Sequence, residues 1–276
     1  MTVILIAGSD AAQQLGQLSL SPLARQILMD KQQSPFVYNF PSVDALLFEL
    51  NMRSHIVSAA QALNESGATF ANYRESRANP RYWITERNGG FQMRPDVTAA
   101  DAINDFFRSG PMYAFECSAA VLIVLYKAVL DSIGPAMFNR YYSNIYLYDW
   151  NYDNDLRLIS TDRNPQNFPG DILYFRNPDH HPAGPEWQGE NVIDMGGGYY
   201  YGHGIGITTA RDIIAKLNEM RFPGSRRSAY LTRQVVYPDF EYLRQLSMGV
   251  GGTGTRKIYA TQDSAIAAIG SKIFIR

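Results

Sequence analysis

The chain carries one cysteine, Cys117, in 276 residues. An internal disulfide is therefore excluded, and stability must come from packing and hydrogen bonding. Such a chain suits a reducing compartment. Histidine is scarce as well, at four residues, so few imidazoles are available as a base or a metal ligand. Neither sign of charge is in surplus: 25 basic and 26 acidic side chains leave a formal net charge of -1. With a pI near 6.4, the protein lacks the global basic field that nucleic-acid binding needs, and nucleic acid is not expected as a partner. Long apolar runs are also missing. The longest, Ser118 to Leu130, is interrupted by Lys127 and falls short of the roughly 20 residues that span a bilayer. The apolar stretch Val3 to Ala7 follows no basic residue and precedes no small-residue cleavage pattern, so no signal peptide is read there. A soluble protein made in the cytoplasm, without membrane association, is expected.

The 46% hydrophobic content can fill a full core, and one domain over 1–276 is expected, in three parts. Residues 1–110 read as mainly helical. Apolar residues recur near a 3.6 period from Ser42 to Glu65 until Gly67 stops them, and Ser21 to Asp30 reads likewise. Asn88-Gly89-Gly90 predicts a hairpin between Tyr82–Thr85 and Phe91–Met93. Thr98 to Asp101 resembles a capping box with Asp in place of Glu, opening a helix that Gly110-Pro111 ends. Residues 111–248 hold a helix starting near Cys117 that is apolar on nearly every face, hence central. A strand over 170–176 follows, then a glycine-rich hairpin of 191–195 and 199–207 about Gly196-Gly197-Gly198, then a helix over 210–220. Residues 249–276 form a C-terminal extension, loop-like over 249–255, with a possible ordered element from Ser264.

A lone cysteine is by default a small buried hydrophobe. Cys117 differs in opening a buried helix, where unpaired N–H groups and the positive dipole end favour a thiolate and can hold an oxyanion. It follows a predicted loop, Ser109 to Met112, and adjoins a carboxylate, Glu116. A helix end contributes at most ~2 kcal/mol against a thiol pKa of ~8.5, so a base is needed. Among the histidines only His203 is expected in an ordered strand, between Gly202 and Gly204, which allow close approach. Glu190 opens the strand before it, and a tight hairpin would bring the two together. At an ordinary pKa of ~4.3 a carboxylate is a poor base for a thiol; burial would have to raise it, with Trp187, Tyr199, Tyr200 and Tyr201 available as a dry wall.

The segments Tyr113 to Ser118, Pro169 to Phe175, Trp187 to Val192 and Gly202 to Gly206 together resemble the spore-coat protein-glutamine gamma-glutamyltransferases of Bacillus-type spore formers. The resemblance extends over nearly the whole chain and is weakest near its end. It implies an α+β fold with a papain-like, NlpC-type cysteine peptidase core: an antiparallel sheet packed on the buried Cys helix, with extra N-terminal helices. It implies that Cys117 is the nucleophile, Glu190 its principal proton partner, Glu116 a partly redundant acid and His203 a nearby site residue, with Trp150 and Trp187 lining the substrate passage. Neither cofactor nor metal is implied. The partners would be spore coat proteins supplying Gln and Lys side chains, and the location the spore surface.

Calcium independence agrees with the residues. The one calcium-like run, Asp149 to Asp155, puts Asn154 where an EF-hand loop needs glycine and Ser160 where it needs glutamate. Gly202 to Gly206 lacks the helix that must follow a dinucleotide fingerprint, and Gly249 to Thr255 lacks the phosphate-loop lysine. The expected chemistry is a thioester on Cys117, formed with loss of ammonia and resolved by a lysine amine. The alternatives are a cysteine peptidase or amidase of the same fold, which would pass the acyl group to water, and a structural coat protein with no activity.

Overall fold

The computed structural model describes residues 4–162, 166–251 and the strand segments Ile266–Ile269 and Lys272–Ile275. The helices of the first third are set by their caps. Helix α1, Pro22–Gln33, starts at Ser21, whose side chain accepts from the Ala24 N–H, with proline in its first turn. Helix α2, Val43–Glu65, is capped in the same way by Ser42 through Ala45. Helix α3, Ala99–Arg108, has the expected box: Thr98 accepts from the Asp101 N–H and donates to its carboxylate at 2.8 Å. The predicted hairpin forms from Trp83–Thr85 and Phe91–Met93 and gains an unforeseen third strand, Tyr146–Leu147. Ile4–Ile6, within the apolar stretch near the start, is likewise a strand, pairing in parallel with Tyr38–Phe40.

The central element is α4, Cys117–Tyr141. It is longer than the apolar run read from the sequence, because the helical path continues past Leu130 to a kink at Gly134 (φ 79°) and Pro135. By length and composition it could cross a membrane, yet 78% of its most apolar window is buried inside the protein. It is a core helix. Met52, Ile56 and Leu63 of α2 and Ile103 and Phe106 of α3 join Leu122, Val124 and Val129 of α4 in one large apolar cluster.

That cluster lies against an antiparallel sheet of six strands: β1 Leu158–Thr161, β2 Ile172–Arg176, β3 Gly189–Gly196, β4 Tyr199–Gly202, β5 Gly206–Thr209 and β6 Tyr230–Pro238. The spatial order is β5-β4-β3-β2-β6-β1. The other face is covered by helix α5, Ala210–Glu219, whose Ile213 and Leu217 pack on Leu173, Phe175 and Val192. Helix α6, Phe240–Ser247, returns to the main core through Leu243 and Leu246. The fold is thus α+β, with a buried helix carrying the cysteine.

Two expectations about local structure change. The segment read as one strand from Tyr199 to Ile207 is two strands, and His203 lies in the tight turn between them rather than in a strand. The left-handed backbone of Gly204 (φ 90°) and Gly206 (φ 94°) makes that turn. The expected loop over 109–112 is a short 3-10 turn, Gly110–Met112, leading into the strand Ala114–Phe115. Residues 252–255 of the glycine-rich segment, and 264–265, 270–271 and 276 of the expected terminal element, lie outside the described residues. Its described parts, Ile266–Ile269 and Lys272–Ile275, pair as an antiparallel hairpin.

Candidate active site

Cys117 owes its position to the strand before it. Ala114–Phe115 pairs in parallel with Thr69–Phe70, which aims the start of α4 at the end of β3. Cys117 is partly exposed while its neighbours Glu116 and Ser118 are buried. Its sulfur faces a cavity of about 470 Å³ whose wall includes Phe70, Tyr73, Trp150, Tyr174, Glu186 and Asn191. The expected access to the thiol is therefore present, in a pocket rather than on an open surface.

Glu116 is the N-cap of α4. Its Oε2 accepts from the Ser118 N–H at 2.7 Å, and its Oε1 accepts from the Ala119 N–H at 2.9 Å and the Ser118 hydroxyl at 2.5 Å. The expectation that the N–H groups of this helix start are open to a thiolate or an oxyanion is corrected at both positions: a buried carboxylate already holds them. Burial pushes the Glu116 carboxyl up, while these three hydrogen bonds oppose the rise.

Glu190 is 4% exposed, on β3. One side of its carboxyl receives the His203 backbone N–H, and Oε1 has no hydrogen-bond partner. Gly202 on the neighbouring strand makes room, since a Cβ there would stand 3.1 Å from Oε1. Burial, and then the charge of Glu116, push the Glu190 carboxyl well above the usual carboxylate range. The Cys117 thiol is also pushed well up, by burial first and then by the charges of Glu190 and Glu116. Both shifts have one origin: neither group can be charged cheaply in a dry site already holding a carboxylate. Burial therefore makes the carboxylate and the thiolate more basic together. Tyr201 is the aromatic of the expected dry wall that is buried beside Glu190; Tyr199 is 51% exposed and takes no part.

His203 is buried, stacked on Phe115 at 4.5 Å and 10° between planes, with its Nδ1 3.0 Å from the Tyr201 hydroxyl. Burial lowers its pKa to about 4, so the ring is neutral at physiological pH. A hydrogen bond between the ring and the Thr69 backbone opposes that drop without offsetting it. Trp150 is buried in the cavity wall. Trp187 stands behind Phe70, with ring centroids 6.1 Å apart, and Phe70 is the ring that faces the cavity. Glu190 and His203 likewise sit behind the wall and not on it. Among the described residues, no group of three or more His, Cys, Asp or Glu is arranged to hold a metal ion. Within the calcium-like run, Asp153 caps a 3-10 turn through the Asp155 N–H, and Asp155 is buried as the acceptor of the Tyr242 hydroxyl.

The sequence reading missed Asn191, which sends its side-chain N–H to the Cys117 sulfur at 3.5 Å and whose backbone N–H favours the thiolate too. It also missed Tyr73, whose hydroxyl bonds Ser118 and is pushed up by burial and by Glu116. Asn191 stood beside Glu190 in the same motif and could have been singled out. Tyr73 arrives from a distant segment and carried no signal.

A cavity-facing thiol at the head of a buried helix, with a buried carboxyl of an antiparallel sheet close enough to raise its pKa, is the kind of site that cysteine enzymes carry. Comparison with known proteins gives the family. The family model of protein-glutamine gamma-glutamyltransferases matches residues 3–247. The enzyme of that name from Bacillus pumilus is 42% identical over 245 residues, which is 88% of this chain and 99% of that one. Its counterpart from Bacillus cereus strain B4264 is 40% identical over 247 residues, 89% of each. The solved transglutaminase from Geobacillus stearothermophilus, without its C-terminal extension, superposes with a TM-score of 0.71 at 48% identity, covering 75% of this chain and 98% of that one. This chain belongs to the protein-glutamine gamma-glutamyltransferase family and is an acyltransferase that uses protein glutamine and lysine side chains.

Proposed function

We propose that the enzyme cross-links proteins of the bacterial spore coat, without calcium, through a thioester on Cys117. The proton on the thiol passes to Glu190, and the thiolate attacks the carboxamide carbon of a glutamine side chain. The tetrahedral adduct collapses as Glu190 returns the proton to the departing nitrogen, releasing ammonia. A lysine amine then attacks the thioester, gives its proton to the same carboxylate, and the sulfur leaves with an isopeptide bond made. The observation that supports this most is the buried, half-partnered Glu190 carboxyl beside a cavity-facing thiol. The aromatic wall of Phe70, Trp150 and Tyr174 favours amine over water by keeping the thioester dry. Calcium independence is supported by Asp153 and Asp155 being committed to a cap and a buried hydroxyl. The spore-coat setting, reached after synthesis in the cytoplasm, is supported by the family resemblance and by relatives from Bacillus.

The test is incorporation of a labelled primary amine into a glutamine donor protein in the presence of a calcium chelator. Labelled product is expected from the wild type, none from Cys117→Ala, and much less from Glu190→Ala. Release of free acid without amine incorporation would instead mark a hydrolase. Incorporation by Cys117→Ala would remove the thioester.

A further inference from the structure

The oxyanion formed in the first step needs two donors, and the start of α4 cannot supply both. Of the N–H groups there, Ser118 and Ala119 are held by Glu116, and Ala120 donates to the Glu116 carbonyl. Only that of Cys117 remains for a ligand, as expected for the first residue of a helix. Several polar side chains around the cavity are also committed. Tyr174 donates to the Gln188 carbonyl at 3.2 Å, Asn72 donates to Glu75 at 3.2 Å, and the Tyr73 hydroxyl is bonded to Ser118. Asn191 is different. It is 7% exposed, it lines the cavity, and its carboxamide N–H points at the sulfur itself from 3.5 Å. An oxygen on a carbon bonded to that sulfur, if turned toward Asn191, comes within a hydrogen-bond length, about 3 Å, of a donor so placed.

We propose that Asn191 is a catalytic residue whose carboxamide N–H, paired with the Cys117 backbone N–H, holds the oxyanion of the tetrahedral adducts. In the resting enzyme the same N–H rests on the sulfur. When the thiolate forms the S–C bond, the carbonyl π pair moves to oxygen and the Asn191 donor transfers to it. When the C–N bond breaks, the pair returns to the carbonyl and ammonia leaves with the proton from Glu190. The second half-reaction repeats the exchange with the lysine nitrogen entering and the sulfur leaving. Asn191 is pinned for this on β3, where its backbone pairs with Tyr174 of β2.

The inference rests on the Cys117 thioester. It is tested with Asn191→Leu, which keeps the volume and removes the donor, and with Asn191→Asp should the leucine variant fail to fold. Three quantities are measured: kcat and KM for ammonia release from a glutamine donor peptide, the pH profile of Cys117 alkylation by iodoacetamide, and the melting temperature. Loss of one oxyanion donor lowers kcat roughly hundredfold or more. KM should stay within about threefold, and alkylation should slow far less than turnover. A kcat within about threefold of wild type would overturn the proposal, and so would a fall matched by an equal fall in alkylation, which would make Asn191 only a support for the thiolate. Cys117→Ala, run in parallel, separates the two ideas: activity there defeats the thioester itself, whereas loss there with full activity in Asn191→Leu defeats only the role of Asn191.

Discussion

Replacing Glu116 by alanine should make the protein less stable and its thiol more reactive at once. The carboxylate caps α4 with two backbone hydrogen bonds of 2.7 and 2.9 Å in a buried setting. An N-cap is worth about 0.5–2 kcal/mol, and a buried charged one belongs at the upper end. At roughly 2–4 °C per kcal/mol for a chain of this size, melting should fall by about 4–8 °C. The same carboxylate is one of the charges that hold the Cys117 thiol up. Its removal takes away a negative neighbour and returns the Ser118 and Ala119 N–H groups to the helix end. A helix terminus worth up to ~2 kcal/mol corresponds to roughly thirtyfold in thiolate population. Alkylation of Cys117 by iodoacetamide at pH 7 should therefore accelerate by up to that factor, while cross-linking falls only in part because Glu190 remains. Differential scanning calorimetry and a stopped alkylation series read both effects. Slower alkylation with an unchanged melting point would refute the argument, since cap and charge would then not act on this helix end.

Acid should destabilise the protein through His203, whose folded-state pKa of about 4 lies below the ordinary 6.5. The fold prefers the neutral ring, so the unfolded chain binds the extra proton, and stability present above pH 6.5 is lost as pH falls toward 4, by up to about 3 kcal/mol. Urea unfolding of His203→Phe should show a visibly shallower loss over that window. Gly204→Ala forces a side chain into a left-handed turn and sets its Cβ 2.6 Å from the Cβ of Phe70. Strain and overpacking together cost about 2–4 kcal/mol, and because Phe70 lines the cavity, KM for the glutamine donor should rise; an unaltered melting curve would count against the turn geometry. Arg53 is buried between Glu49 at 2.8 Å and Asp171 at 2.7 Å. Arg53→Met should cost about 3–5 kcal/mol by leaving buried carboxylates short of a cation, and adding Asp171→Asn should recover part of the loss in the same urea assay.

The sequence alone singled out Cys117, because it is the one cysteine and stands at the head of a run apolar on nearly every face. It also located most helices and the hairpin turns, since caps such as Ser42 and Thr98 and turns such as Asn88-Gly89-Gly90 are local chemistry. Glu190 and His203 were legible as neighbours through the hairpin about Gly196-Gly197-Gly198, which folds β4 back along β3. Tertiary structure decided what local chemistry cannot. It showed that Glu116 occupies the helix N–H groups and that Asn191 meets the sulfur across 74 residues of chain. It put Phe70 and not Trp187 on the cavity wall, and it turned the supposed strand at His203 into a bend. The short strands Thr69–Phe70, Ala114–Phe115 and Tyr146–Leu147 carry no period long enough to read, and they exist only because a partner from elsewhere in the chain completes them. The upward shift of the Glu190 carboxyl is likewise absent from the residue type. It comes from desolvation, which arises only when distant segments close over the carboxyl and exclude water.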